Sequence, residues 1–357
     1  MNRKLSRFLR RRGVTPAELE QARADGWVTL LAVDRVLLPG RRDFDRHALA
    51  QSAGVDAAVS ERLWRALGFP DVPDEVELFT EADVEALRVL MQPRDNPLLD
   101  GGDPIEGVVN QTRAISGGLA RVAEVLSDQI AAAVEAGQAS GLDDEEIAAL
   151  VVDALDWTTL SRLVDYALRL QVRAAVWRKL FGAQADVAAV PALAVGFVDL
   201  VGYTAISQEL EADELAVLVA RFEVLTHDTV AQLGGRLVKT IGDEVMFVAD
   251  EPQVAAAIAL RLTERTGDDE LLPDARAGLA AGSVLSREGD YYGSVVNLAH
   301  RLVELARPGT VVVSDTVHHA LAEDPAFAWS RMRVRRIRDI GRVETWSVRA
   351  GERAVAG

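Results

Sequence analysis

One stretch, Ala194-Val-Gly-Phe-Val-Asp-Leu-Val-Gly-Tyr-Thr204, constrains this chain more than any other. Its apolar residues make most of a strand, and that strand ends on a carboxylate, Asp199. A turn containing Gly202 follows, and a helical pattern starts near Tyr203. Further on comes a second such arrangement, Arg236-Leu-Val-Lys-Thr-Ile-Gly-Asp-Glu-Val-Met-Phe-Val248, with a polar cluster from Lys239 to Glu244 between two apolar strand halves. A lone Asp at the end of a buried strand is costly unless something cationic compensates it. Two of them, Asp199 and Asp243, on different strands point to a shared metal site. In a β-α-β-β unit the first strand lies beside the hairpin, so both side chains reach one point. Oxygen donors without His or Cys select Mg2+ or Mn2+ over zinc. Two such ions can activate a hydroxyl and stabilise a phosphoryl group together. Taken singly, Asp243 could merely shape a Gly-Asp turn, and Asp199 could cap the following helix.

At 357 residues the chain is long enough for two domains with cores of their own. Apolar residues make up 49%, which places it among globular proteins. There is no cysteine, which excludes disulfides, thiolate metal sites and cysteine nucleophiles and fits a reducing compartment. The basic N-terminus, Met1 to Arg12, lacks the apolar segment of a signal peptide. No uncharged run reaches the roughly 18 to 20 apolar residues of a membrane span. The expectation is a cytoplasmic protein. A net charge of −16 argues against general nucleic-acid affinity, which depends on Lys and Arg releasing counterions. It leaves room for a nucleotide substrate that brings divalent cations with it.

Residues 1 to about 95 read as short helices joined by turns. Thr15-Pro-Ala-Glu18 has the pattern of a capped helix start, and Thr80 opens another helix with an acidic first turn. Between them Arg46 to Leu67 resembles a helix-turn-helix, so a DNA-binding regulator has to be weighed. Arg41 to Asp95 holds seven basic against twelve acidic residues. A DNA-facing helix needs the opposite balance, which favours a small helical bundle. After the turn-rich Asn96–Pro104, helical pattern resumes over Ile105–Ala136 and Asp143–Leu155. A further helix, Thr158 to about Phe181, is apolar on more than one face, as expected of an element packed on two sides. Gly182 to Pro191 is a small-residue linker.

The second half alternates strands and helices. Strand Leu193–Asp199 precedes a helix from about Asp213 to Leu233, stopped by Gly234-Gly235. A hairpin covers Arg236–Ala249, a helix Pro252–Gly267 and a strand Ala275–Val284. A Gly-rich loop, Arg287–Gly293, leads into helix Ser294–Arg307. Strand Thr310–Val313, a short helix and two closing strands, about Phe327–Arg336 and Arg342–Val348, complete it. The β-α-β-β-α-β order predicts a ferredoxin-like α+β domain with additions, behind an all-α domain. Such a fold by itself says nothing about function.

Three further features accompany the carboxylate pair. Lys239 stands four residues ahead of Asp243 on an apolar strand, a position where a lone Lys is usually an exposed edge residue. Asp290 lies in the loop before a helix. Asn297 and Arg301, at i and i+4, share one face of that helix. Together, Phe197-Val-Asp-Leu-Val-Gly-Tyr-Thr204, Lys239-Thr-Ile-Gly-Asp-Glu-Val-Met-Phe247 and Asp290-Tyr-Tyr-Gly-Ser-Val-Val-Asn-Leu-Ala-His-Arg301 resemble the three signature blocks of class III adenylyl cyclases, in the family's order. The resemblance covers roughly Pro191 to Val348.

That resemblance implies roles residue by residue. Asp199 and Asp243 hold two Mg2+ or Mn2+ ions, with the Leu200 carbonyl an additional ligand. Lys239 and Asp290 read the purine, and this pair favours ATP over GTP. Asn297 orients the ribose, and Arg301 stabilises charge on the α-phosphate. The family's last phosphate-binding cation falls near Arg338, where Arg replaces the more usual Lys. The site lies between two catalytic domains, so a homodimer follows. The N-terminal half resembles the helical regulatory domain ahead of some actinobacterial cyclases. The implied organisation is a regulatory domain over 1–185, with a coupling helix at about 158–181, and a catalytic domain over 186–357. His47 is then a candidate pH sensor, or simply structural. The expected activity is conversion of ATP to cyclic AMP, without nucleic-acid partners. The rivals are a nucleotide sensor with little turnover and a DNA-binding regulator.

Overall fold

The computed structural model describes residues 3–92, 103–181, 192–287, 289–337 and 340–351. The linker 182–191 and Arg338 therefore lie outside the described residues. The chain divides into two compact units, Met1–Ala175 and Val176–Gly357. No described helix is long and apolar enough to cross a membrane.

The first unit is helical: α1 (Arg3–Arg11), α2 (Pro16–Asp25), α3 (Val28–Leu37), α4 (Arg46–Ala53), α5 (Ala57–Ala66), α6 (Glu81–Met91), α7 (Pro104–Ala139), α8 (Asp144–Ala154) and α9 (Trp157–Phe181), the last running past the division at Ala175. Thr15 and Glu18 cap α2 reciprocally, as the sequence motif predicts. Asp144 reaches across to the start of α3, where its carboxylate accepts from the Val28 and Thr29 N–H groups at 2.6 and 3.2 Å. Leu5, Leu9, Leu19, Val28, Leu31 and Ala148 pack one core, and Leu49, Leu63, Phe79, Val84, Leu87 and Val108 a second. Around the helix-turn-helix-like pair, Arg46 bonds Glu61 at 3.0 Å, Arg65 bonds Asp71 at 2.8 Å, and Arg62 pairs with Glu106. These guanidiniums are already matched by carboxylates. His47 is exposed, with Nε2 3.7 Å from Asp74 Oδ2. On α9, Leu163, Tyr166 and Leu168 are more than half exposed in the single chain.

The second unit runs β1 (Ala192–Leu200), α10 (Tyr203–Glu209), α11 (Ala212–Gln232), β2 (Arg236–Ile241), β3 (Glu244–Ala249), α12 (Pro252–Gly267), β4 (Ala275–Ser283), β5 (Leu285–Arg287), β6 (Asp290–Tyr292), α13 (Ser294–Leu305), β7 (Val311–Ser314), α14 (Asp315–Leu321), β8 (Phe327–Arg331), β9 (Arg335–Ile337), β10 (Gly341–Val343) and β11 (Thr345–Ala350). The main sheet has the order β2-β3-β1-β4-β7-β11-β8. Its first four strands have the predicted split β-α-β order. Two expectations are corrected. The Arg287–Gly293 segment is not a plain loop, because β5 and β6 pair as a small antiparallel ribbon. The two closing strands are four short ones, with β9 and β10 forming a ribbon of their own.

Side chains alternate across the sheet. Ala194, Val198, Leu200, Val245 and Phe247 join the core shared with Phe222 of α11 and Ile258 of α12. Leu193, Val195, Phe197, Met246 and Val248 face the other way, against Leu302 and Val303 of α13. Gly278 is what lets α13 approach. A Cβ there would stand 2.4 Å from both Ala299 O and Val303 N, which are backbone atoms that no rotamer change can move. Gly278→Ala is therefore expected to destabilise by about 1–3 kcal/mol, as overpacking does. Gly117→Ala, on an open part of α7, should stabilise by roughly 0.5–1 kcal/mol. Urea denaturation of both variants checks the opposite signs.

Candidate active site

The alternation that builds the α13 face also builds the site. Leu193, Val195 and Phe197 point toward α13, so Asp199, two residues on, does too. Its cross-strand neighbours are Glu244 on β3 and Arg276 on β4. Directly opposed residues share a face. The result is a row of Glu244, Asp199 and Arg276 beyond the last apolar row of Met246, Phe197 and Gly278.

The Arg276 guanidinium donates twice to Asp199 Oδ2, from Nη2 at 2.6 Å and Nε at 2.8 Å. Asp243 stands beside this row, in the two-residue turn between β2 and β3, where Gly242 takes φ +63°. Its carbonyl accepts from the Leu200 N–H at 3.3 Å, which ties the turn to the end of β1. Leu200 itself is buried, with its side chain in the core on the opposite face. Burial, and then the charge and hydrogen bond of Asp199, push the Asp243 carboxyl up to about 6. Burial, followed by Asp199 and Asp243, pushes Glu244 up to about 7. Three carboxyls thus crowd around a single guanidinium. This hard-oxygen donor set, short of positive charge, fits Mg2+ or Mn2+.

Lys239 reaches the same face for a less obvious reason. Strict alternation would place it with Leu237, which packs toward α11 and α12. A β-bulge intervenes, so Leu237 opposes Phe247 while Lys239 opposes Met246. Lys239 Nζ then donates to Asp290 Oδ2 on β6 at 2.6 Å. Burial works against the Asp290 charge, but the Lys239 hydrogen bond and the Tyr291 N–H outweigh it and hold the carboxyl below its ordinary value.

Asn297 and Arg301 share one face of α13. Asn297 is exposed, and Arg301 Nη1 donates to Glu304 Oε1 at 2.8 Å. Among the described residues neither bonds to the carboxylate row. Three neighbours escaped the sequence reading: Glu244, Arg276 and His300. His300 lies with Nε2 3.4 Å from Glu244 Oε2, its ring edge-on to Phe197. The available signal was charge at an in-facing position of an apolar strand, as in Ala275-Arg276-Ala277.

The fold of the second unit is that of a class III nucleotidyl cyclase catalytic domain. Residues 186–350 match the adenylate and guanylate cyclase catalytic domain family, and residues 2–176 match the adenylate cyclase regulatory domain family. The chain is 36% identical to an adenylate cyclase of Glutamicibacter nicotianae, over 95% of this chain and 86% of the relative. It is 32% identical to the pH-sensitive adenylate cyclase of Mycobacterium tuberculosis (strain CDC 1551 / Oshkosh), over 98% and 88%. The crystal structure of an adenylyl cyclase from P. aeruginosa aligns over 45% of this chain and 95% of that one, at 21% identity and TM-score 0.41. The chain belongs to the adenylate cyclase family, in the form that carries the regulatory domain in front.

The raised Asp243 and Glu244 carboxyls make the fold bind protons more tightly than the unfolded chain does. Without a divalent ion, the contribution of these two groups to stability is therefore fully present below about pH 4 and is lost as pH rises through about 6 and 7. In EDTA at pH 8, Asp243→Asn should melt higher than wild type by a few degrees, and the gap should close near pH 4. Mn2+ should raise the wild-type melting temperature at pH 8 more than that of the variant. Thermal melts at the two pH values, with and without Mn2+, check both statements.

Proposed function

We propose that this chain converts ATP to 3′,5′-cyclic AMP and pyrophosphate, as a homodimer whose sites draw on both chains. The observation that carries this is that Asp199 and Asp243 meet at one end of the sheet, while among the described residues the Lys239–Asp290 pair and Asn297 and Arg301 on α13 bond to neither, as expected if one chain gives the two metal-holding acids and its partner the purine-reading pair, Asn297 and Arg301. Asp199 and Asp243, with the Leu200 carbonyl, hold Mg2+ or Mn2+, two ions per site. Such ions polarise the ribose 3′-hydroxyl and neutralise phosphate charge.

The protein groups do the rest. Asp290 accepts from the adenine amino group, and Lys239 donates to a ring nitrogen; their 2.6 Å ion pair keeps both oriented before the base arrives. Asn297 positions the ribose so that its 3′-oxygen lies in line with the α-phosphorus. The new O3′–P bond forms as the bond to pyrophosphate breaks, and the hydroxyl proton passes to solvent water. The Arg301 guanidinium stabilises the charge that gathers on the α-phosphoryl oxygens. Arg338 contacts the leaving phosphates. The helical half, residues 1–185, regulates this step through α9, by repositioning the catalytic domains in the dimer. Support for regulation comes from the family match of residues 2–176 and from a relative whose name records pH sensitivity.

The test is a cyclase assay with Mn2+ on wild type, Asp243→Ala and Arg301→Ala. Arg301→Ala should lose on the order of 10²–10³ in turnover, as when a donor aimed at developing charge is removed. Asp243→Ala should fall to background. Mixing the two variants should restore part of the activity, since one hybrid site is intact. A mixture no more active than its parts refutes the shared site.

A further inference from the structure

Far from the carboxylate row, α14 carries Asp315, His318 and His319 at i, i+3 and i+4, a spacing that puts all three on one face. One donor atom from each lies within 4.8 Å of the other two. The cluster is framed before any ligand arrives. Trp346 Nε1–H of β11 donates to Asp315 Oδ1 at 3.2 Å. His319 Nδ1 lies 3.2 Å from Asp315 Oδ2 and 2.9 Å from the Asp315 carbonyl oxygen. The His318 ring stacks flat on Trp346, with centroids 3.6 Å apart and 5° between planes, and Trp329 meets its edge at 5.0 Å. Its buried Nδ1 has no hydrogen-bond partner among the described residues. A buried nitrogen left without a partner is an uncompensated desolvation that calls for a ligand.

We propose that Asp315, His318 and His319 form a binding site for a divalent transition ion of the zinc class, separate from the Asp199–Asp243 pair. Two imidazoles and one carboxylate suit zinc, nickel or copper, whereas Mg2+ prefers oxygen donors alone. Three protein donors leave a position for water or a further ligand. The Trp346 N–H on Asp315 is the kind of outer hydrogen bond that orients a ligating carboxylate.

Position separates this cluster from the catalytic row. The Thr316 hydroxyl of α14 donates to Ala281 O, and Ala281 lies opposite Ala194. Arg276 and Asp199 are five residues away along the same pair of strands, about 16 Å at the usual rise. Val317 and Leu321 also seat α14 on the sheet face opposite to α13. An ion held here would pin α14 to the closing strand β11 through the Asp315–Trp346 bond.

The full chain carrying Asp243→Asn, which disables the catalytic carboxylate pair, is titrated with Zn2+ by calorimetry in excess Mg2+. One Zn2+ per chain is expected, with a zinc-dependent rise in melting temperature. Ni2+ should quench tryptophan fluorescence, because Trp346 stacks on a ligating ring. Adding His319→Ala, at an exposed side chain whose loss leaves the core intact, should weaken zinc binding at least about tenfold. His318→Gln should do the same and abolish the nickel quench. Zinc binding that is unchanged by His319→Ala, or no saturable zinc binding in the parent, overturns the assignment.

Discussion

Asp199 at the end of β1 depends on Arg276, and the catalytic half is arranged around that contact. A carboxylate taken out of water carries a penalty of several kcal/mol unless it is paired and hydrogen-bonded. Here the side chain is 15% exposed and receives two N–H donors on one oxygen. The pairing is possible only because β1 and β4 run antiparallel with Asp199 opposite Arg276. A two-residue slip in register would set Asp199 against Gly278 or Asp274, and neither could neutralise it. The guanidinium thus serves as the site's own cation, and one positive charge is shared among Asp199, Asp243 and Glu244. The remaining deficit shows in the raised carboxyls of the last two. An acidic pocket of this kind is held together by the sheet while still favouring further positive charge.

The same face must also be closed by a helix without burying the acids completely. Gly278 solves this, since it lies opposite Phe197 and leaves room for the backbone of α13 between Ala299 and Val303. His300 then falls over Phe197 and beside Glu244, at the boundary between the apolar rows and the acidic one. Asn297 and Arg301, on either side of it in sequence, are carried on the same helix and keep contact with solvent. A single glycine therefore sets where the helix-borne polar groups stand relative to the sheet.

Much of this was legible in the sequence, for identifiable reasons. Strand β1, the β2–β3 hairpin and helix α12 have strong periodicity and clear stops, and their observed limits agree with expectation to within a residue or two. The β5–β6 ribbon was not legible: its strands are three residues each, β5 exposed and β6 half-buried, with Gly289 in the turn between them, too short for a period-two signal to register. Arg276 and Glu244 were missed because their importance comes from register, which one strand read alone does not reveal. Lys239 was identified through a family motif, whereas alternation alone would have turned it toward α11 and α12. The bulge that corrects this has no sequence signature of its own, and only the paired strands expose it.

Arg276 and Arg301 have opposite characters, and the difference fits the task proposed for Arg301. Arg276 is two-thirds buried, bonds through two nitrogens, and holds a strand-borne acid in place. Its release would leave a desolvated carboxylate behind, so it stays engaged until another cation replaces it. Arg301 is bonded to Glu304 one helical turn away, and both partners are substantially exposed. An ion pair of that kind contributes about 1 kcal/mol at most. Little therefore keeps Arg301 from swinging to a better acceptor, and a phosphoryl group gathering negative charge is a far stronger one. A guanidinium lightly tethered to a rigid helix can answer charge as it develops, while one locked to a buried acid cannot.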